Sequence, residues 1–182
     1  LLQKINVDIK YLFTKKGRIT SKNSRIIASQ QQVVRFDCES SDEISTESQD
    51  IIINTFSDII LDYDVVLLSD YGKGVLTTNV TKSLIKIAKN HNKKILIDPK
   101  GMDYSKYKGA YLLTPNKKEA SEATRIEIFN EKSLKEAIIS LKNICNLDIS
   151  IITLSESGVA VFEDNLKILP TITREVFDVT GA

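Results

Sequence analysis

From residue 64 onward the chain alternates short apolar runs with amphipathic stretches, and this alternation limits its folding more than any other feature. Val65-Val-Leu-Leu68 is a continuous apolar run, the pattern of a parallel strand covered on both faces. A helix is predicted over about 77–90, with Val80, Leu84, Ile87 and Ala88 on one side. Ile95-Leu-Ile97 and Tyr111-Leu-Leu113 read as further buried strands, and 116–123 as a short helix. Over 134–145, Leu134, Ala137, Ile138, Leu141, Ile144 and Cys145 share a helical face, with Ser133 and Glu136 at capping-box spacing. Ser150–Leu154 and Val159–Phe162 close the series as a strand pair. Strands alternating with helices imply an α/β fold with a mostly parallel sheet flanked by helices. Residues 1–39 have a different character. Val7, Ile9, Tyr11 and Phe13 alternate with polar neighbours, and Ile19, Arg25-Ile-Ile and Gln32–Glu39 continue a β-rich pattern. A helix then follows, with Thr46 and Gln49 at capping-box spacing and Ile52, Phe56, Ile59 and Ile60 at helical intervals.

Composition removes several function classes. The 25 Lys and Arg residues nearly cancel 24 Asp and Glu in 182 residues, which leaves no electrostatic footprint for nucleic acid. The longest apolar runs are four residues, against about 18 for a membrane helix, and no secretory leader pattern opens the chain. Cys38 and Cys145 are too few and too isolated for a disulfide framework or a zinc knuckle. A cytoplasmic setting is expected. Met102 is the only methionine, so the sequence reads as a fragment of a single domain.

In open α/β sheets, ligands bind beyond the carboxyl ends of the strands. Here those ends carry Ser69-Asp-Tyr-Gly-Lys-Gly74, Asp98-Pro-Lys-Gly101, Thr114-Pro-Asn116 with Glu119 one turn on, and Thr153 with Ser155, Glu156 and Gly158. Four successive polar, glycine-flanked turns point to a cleft for a polar, phosphorylated small molecule. Each turn also has a plainer explanation. Asp70 and Lys73 are either an acid–base pair around a ligand or a turn with a solvated lysine. Asp98-Pro99-Lys100 either sets a cation beside a phosphate or stiffens a turn. Asn116 and Glu119 either form a capping box or face the cleft and organise a hydrated magnesium ion and a phosphate tail. Thr153–Gly158 resembles a hairpin turn. His91 and the lysine pairs 15–16, 93–94 and 117–118 read as surface.

As a set, Ser69–Gly74, Asp98-Pro-Lys-Gly101, Leu112-Leu-Thr-Pro-Asn116 with Glu119, and Phe177-Asp-Val-Thr-Gly-Ala182 resemble the ribokinase-like carbohydrate kinases. The DPKG turn, LLTPNxxE and DVTGA, with Gln31–Asp37, are closer still to the bacterial heptose 7-phosphate kinases, over nearly the whole chain. The resemblance implies ATP and Mg²⁺ as cofactors. It assigns Asn116, Lys117, Lys118, Glu119, Thr153, Ser155, Glu156, Gly158, Gly181 and Ala182 to the nucleotide and its phosphates, with Glu119 reaching the metal through water. It assigns Arg35, Asp37, Asp70, Lys73, Asp98 and Lys100 to the sugar phosphate. It makes part of residues 1–39 a lid and 40–182 an α/β core without the family's N-terminal strands, and implies a homodimer. The catalytic Asp would stand two residues beyond Ala182, so these 182 residues alone are expected to be inactive. A kinase for another sugar and a non-catalytic nucleotide- or sugar-binding module are the rival readings.

Overall fold

A computed structural model describes residues 2–6, 8–28 and 31–171. The chain divides into two compact units, Leu1–Asp42 and Glu43–Ala182.

The first unit contains one antiparallel pair, β1 (Lys22–Ala28) and β2 (Gln31–Cys38). Ser24 lies opposite Phe36 and Ile26 opposite Val34, so Ile26, Val34 and Phe36 fall on one face of the ribbon, and all three are exposed. The alternation expected to make a strand around Val7–Phe13 does not do so. Residues 8–13 are irregular and include a turn in which the Leu12 N–H donates to the Ile9 carbonyl at 3.0 Å. A period-two pattern becomes a strand only where a neighbouring strand takes up its backbone groups.

The second unit begins with α1 (Thr46–Ile59), followed by β3 (Val65–Ser69), α2 (Thr78–Asn90), β4 (Lys94–Asp98) and β5 (Leu112–Leu113). Next come α3 (Lys117–Thr124), α4 (Glu131–Cys145), β6 (Ile149–Thr153), β7 (Val159–Phe162) and β8 (Leu166–Leu169). The six strands form one sheet in sequence order, parallel from β3 to β6 and antiparallel from β6 to β8. The last strand, β8, was not expected from the sequence. The core is built from Ile95 and Ile97 of β4, Leu113 of β5, Ile152 of β6, Ala160 of β7, Val80, Leu84 and Ala88 of α2, and Ala137, Ile138 and Leu141 of α4.

Four local expectations are corrected. Val65 and Leu67 are 51% and 69% exposed, so β3 is covered on one face only. It is an edge strand, and a run of apolar residues does not reveal whether both faces have neighbours. Ser45, not Thr46, caps α1, and Gln49 turns inward instead, donating to the Ile44 carbonyl and accepting from Thr77 Oγ1 and Asn79 Nδ2. Helix α4 starts three residues earlier than expected because Asn130 caps it, with Ser133 as the reciprocal partner in place of Glu136. Ile144, expected on the buried face of α4, is exposed, whereas Cys145 is fully buried.

Candidate functional site

The parallel register places Ser69 beside Asp98 and carries the polar turns of β3, β4, β5 and β6 to one edge of the sheet. Two backbone contacts tie these turns together. Asp70 N–H donates to the Asp98 carbonyl at 2.9 Å, and Thr153 N–H donates to the Pro115 carbonyl at 2.9 Å. Asn116, beyond the end of β5, forms a parallel bridge with Thr153, the last residue of β6.

Asn116 caps α3. Its Oδ1 accepts the Glu119 N–H at 2.9 Å, and Glu119 Oε2 accepts the Asn116 N–H at 3.1 Å. The capping reading is therefore realised, and it does not exhaust the glutamate. Glu119 Oε1 is 3.0 Å from the ammonium of Lys100, which reaches over from the turn after β4. That pairing raises Lys100 above the usual lysine range, chiefly through the hydrogen bond its ammonium donates to Glu119. Asp98 lies in the same charge field. Burial, and then the charge of Glu119, holds its carboxyl above the usual range. Lys117 and Lys118 are exposed in the first turn of α3, where the helix end is electropositive, and Lys118 lies 3.9 Å from Glu122.

The Asp70 carboxylate is engaged within the fold. Its Oδ2 accepts from the Lys106 ammonium at 2.6 Å and the Tyr107 hydroxyl at 2.7 Å, and its Oδ1 accepts the Gly72 N–H at 2.7 Å. Burial raises the Asp70 carboxyl, but the hydrogen bonds from Lys106, Tyr107 and Gly72 outweigh it and hold the group below the usual range. Burial pushes the Tyr107 phenol upward, so it stays protonated. The sequence reading missed Lys106 and Tyr107. Their signal was weak: a Ser-Lys-Tyr turn a few residues beyond the DPKG motif. Lys73 is only partly exposed.

Thr153 ends β6, and the next residues make a tight turn. Ser155 has φ +53° and Gly158 φ +96°, with the Leu154 N–H donating to the Gly158 carbonyl at 2.8 Å. Glu156 is exposed on this turn. Beside it, Lys117, Phe129, Asn130, Leu154 and Ser157 line a pocket of about 150 Å³, with Phe129 largely exposed. Arg35 and Asp37 belong to the first unit, where the guanidinium meets the carboxylate at 3.0 Å on β2. Gly181 and Ala182, and the Phe177–Ala182 motif as a whole, lie outside the described residues.

The donor chemistry suits a nucleotide with magnesium. A capped helix start with three lysines around it favours phosphate oxygens. Glu119 and Asp98 offer hard oxygen ligands, and among the described residues no group of three or more His, Cys, Asp or Glu gathers into a direct metal cage. Carboxylate oxygens of this kind suit a hard cation such as Mg²⁺.

The sequence pattern of the pfkB family carbohydrate kinases matches residues 1–182. The chain belongs to this family. It is 56% identical over 182 residues to the bifunctional protein HldE of Aliarcobacter butzleri and 53% identical over 182 residues to that of Sulfurimonas denitrificans. Both matches cover 100% of this chain and 38% of the relative, so the chain spans well under half the length of the curated relatives it matches. Among solved structures, phosphofructokinase-2 from Escherichia coli in complex with fructose-6-phosphate matches 88% of this chain and 54% of its own, at TM-score 0.65 and 16% identity. Arabidopsis thaliana ribokinase complexed with ribose and ATP matches 81% of this chain and 48% of its own, at TM-score 0.59 and 17% identity. The fold is ribokinase-like, as the sequence motifs implied.

Proposed function

We propose that the chain is part of an ATP-dependent kinase that phosphorylates the anomeric hydroxyl of D-glycero-β-D-manno-heptose 7-phosphate. The anomeric oxygen attacks the γ-phosphorus of ATP, the bond to the β–γ bridging oxygen breaks, and ADP leaves. The product is the 1,7-bisphosphate, on the route to ADP-heptose and the lipopolysaccharide core, in the cytoplasm. The observation that carries the kinase reading is the start of α3. There Glu119 caps the helix and also holds Lys100, at the strand edge where phosphates would lie. The heptose substrate rests on the sequence motifs and on the similarity to the HldE proteins.

On this reading Asn116, Lys117, Lys118 and Glu119, with Thr153, Ser155, Glu156 and Gly158 and then Gly181 and Ala182, serve the nucleotide. Lys100, Asp98, Asp70 and Lys73 serve the sugar-phosphate side, and the resemblance assigns Arg35 and Asp37 there as well. Mg²⁺, held through water by Glu119, would neutralise phosphate charge. Phosphoryl transfer needs chiefly positioning and charge stabilisation, and these residues supply both. If the family resemblance holds there, the proton-accepting Asp would stand beyond Ala182, and residues 1–182 alone should show no turnover. The resemblance also supports a homodimer, to which the exposed apolar face of the β1–β2 ribbon would contribute.

The test is ADP release from heptose 7-phosphate and MgATP by the full-length protein, by residues 1–182, and by full-length Glu119→Gln. Glutamine keeps the capping box but removes the charge, so stability should hold to within about 1 kcal/mol. Activity should fall about 10–100-fold, the usual cost of losing a group that orients a metal's ligands. Unchanged activity in Glu119→Gln would reduce this residue to a cap. Turnover confined to another sugar phosphate would reassign the substrate. MgATP binding without turnover of any sugar would favour a binding module.

A further inference from the structure

Lys100 is held at its backbone and along its stem, and both restraints lead to Asp70. The hydroxyl of the fully buried Tyr107 accepts the Lys100 N–H at 3.0 Å and donates to Asp70 Oδ2 at 2.7 Å. Asp70 Oδ1 fixes the Gly72 N–H at 2.7 Å. Gly72 has φ +66°, and a Cβ there would sit 3.3 Å from Lys100 Cγ, so the lysine stem lies against the bare glycine. Lys106 completes the arrangement. Its ammonium donates to Asp70 Oδ2 at 2.6 Å and to the Leu76 carbonyl at 3.1 Å, which keeps a buried carboxylate charged and in place. Lys100 then points away from this cluster to Glu119, 3.0 Å from its ammonium.

We propose that Lys106 and Tyr107 are positioning residues for Lys100. Tyr107 directly at the Lys100 N–H, and Lys106 through Asp70, set the backbone and stem of Lys100 so that its ammonium faces the first turn of α3. This inference rests on the kinase reading for the purpose of that ammonium, which is to meet a phosphate oxygen. It does not need that reading for the geometry. A long lysine side chain loses much rotamer freedom when it is confined, so fixing its first half beforehand lowers the cost of placing its charge.

The geometry is tested without ligand by NMR of the Lys100 ammonium protons in the 182-residue chain, read as their exchange rate with water. Wild type is compared with Tyr107→Phe, Lys106→Met and Lys106→Arg, and Glu119→Gln provides the reference for a lost partner. Exchange should quicken several-fold in Tyr107→Phe and Lys106→Met, towards the Glu119→Gln rate, and should stay near wild type in Lys106→Arg. Should Lys106→Met fail to fold, Tyr107→Phe, which removes only an oxygen, carries the same comparison. Exchange unchanged in folded Tyr107→Phe would overturn the proposal. Calorimetric titration of the full-length protein with MgATP gives the functional readout. Affinity should drop about tenfold in Lys106→Met and fall no further when Lys100→Ala is added, as for residues that act as one unit. Fully additive losses would refute the coupling. If wild type takes up no MgATP, the kinase reading fails, while the exchange rates still decide whether Lys106 and Tyr107 position Lys100.

Discussion

Gly158→Ala is expected to lower the stability of the second unit by about 2–5 kcal/mol. Two costs combine. At φ +96° an alanine pays about 1–2 kcal/mol for a backbone conformation that disfavours a Cβ. That Cβ would also sit 2.0 Å from the carbonyl oxygen of Leu169 and 2.9 Å from the Cα of Pro170, both main-chain atoms that cannot rotate aside. Forcing them apart adds a further cost of roughly 1–3 kcal/mol. At about 2–4 °C per kcal/mol for a chain of this size, Tm should fall by about 4–20 °C. Gly101→Ala is the control. Its φ is +91°, but nothing lies within 4 Å of the added Cβ, so only the conformational cost of about 1–2 kcal/mol applies. Equal losses in the two variants would mean that the approach of Leu169 has no energetic weight.

Asp70→Ala should cost as much, about 3–5 kcal/mol, because it strands the Lys106 ammonium and the Tyr107 hydroxyl in a largely buried place. Asp70→Asn, which preserves the shape but not the charge, should lose about 1–3 kcal/mol. The acid limb of the stability curve gives a separate reading. The folded Asp70 carboxyl lies below its ordinary value, so the unfolded chain takes up the proton first as pH falls. The stabilisation is therefore complete above the unfolded value of about 4 and is lost as pH drops through the lower folded value. Thermal melts between about pH 6 and about pH 2 should show a shallower acid decline in Asp70→Asn than in wild type. Asp98 acts in the opposite sense. Its raised value means that the folded state takes up a proton more readily, so that group offsets part of the acid loss.

How much of this was legible in the sequence depends on the range of the interaction. The parallel strands and the turns at their carboxyl ends were readable because each is a local pattern, an apolar run followed by glycine and charge. The Asn116–Glu119 pair was also readable, although the sequence set capping against cleft chemistry, and the structure has Glu119 capping with one oxygen and meeting Lys100 with the other. Caps elsewhere were misplaced by one residue at Ser45 and by three at Asn130. Neighbouring Ser, Thr and Asn residues compete for the role, and backbone angles choose among them. The Asp70–Lys106–Tyr107 cluster was not legible. It joins residues 36 and 37 positions apart, and no periodicity records such a contact. Nor could the run Val65–Leu68 announce that one face of β3 stands open.

The change from parallel to antiparallel pairing along the sheet also bears on the order of assembly. Strands β6, β7 and β8 join through short turns, so their pairing closes small loops. Each parallel pair from β3 to β6 must instead wait for an intervening crossover, including α2 before β4 and both α3 and α4 before β6. Small loops close at a lower entropic cost and sooner than large ones. The three-stranded meander is thus expected to form early, offering the free edge of β6 to the rest of the sheet. Gly158 sits at its first turn, so the kinetic penalty of Gly158→Ala should appear as slower refolding and leave the unfolding rate nearly unchanged, the mark of a position already ordered at the barrier.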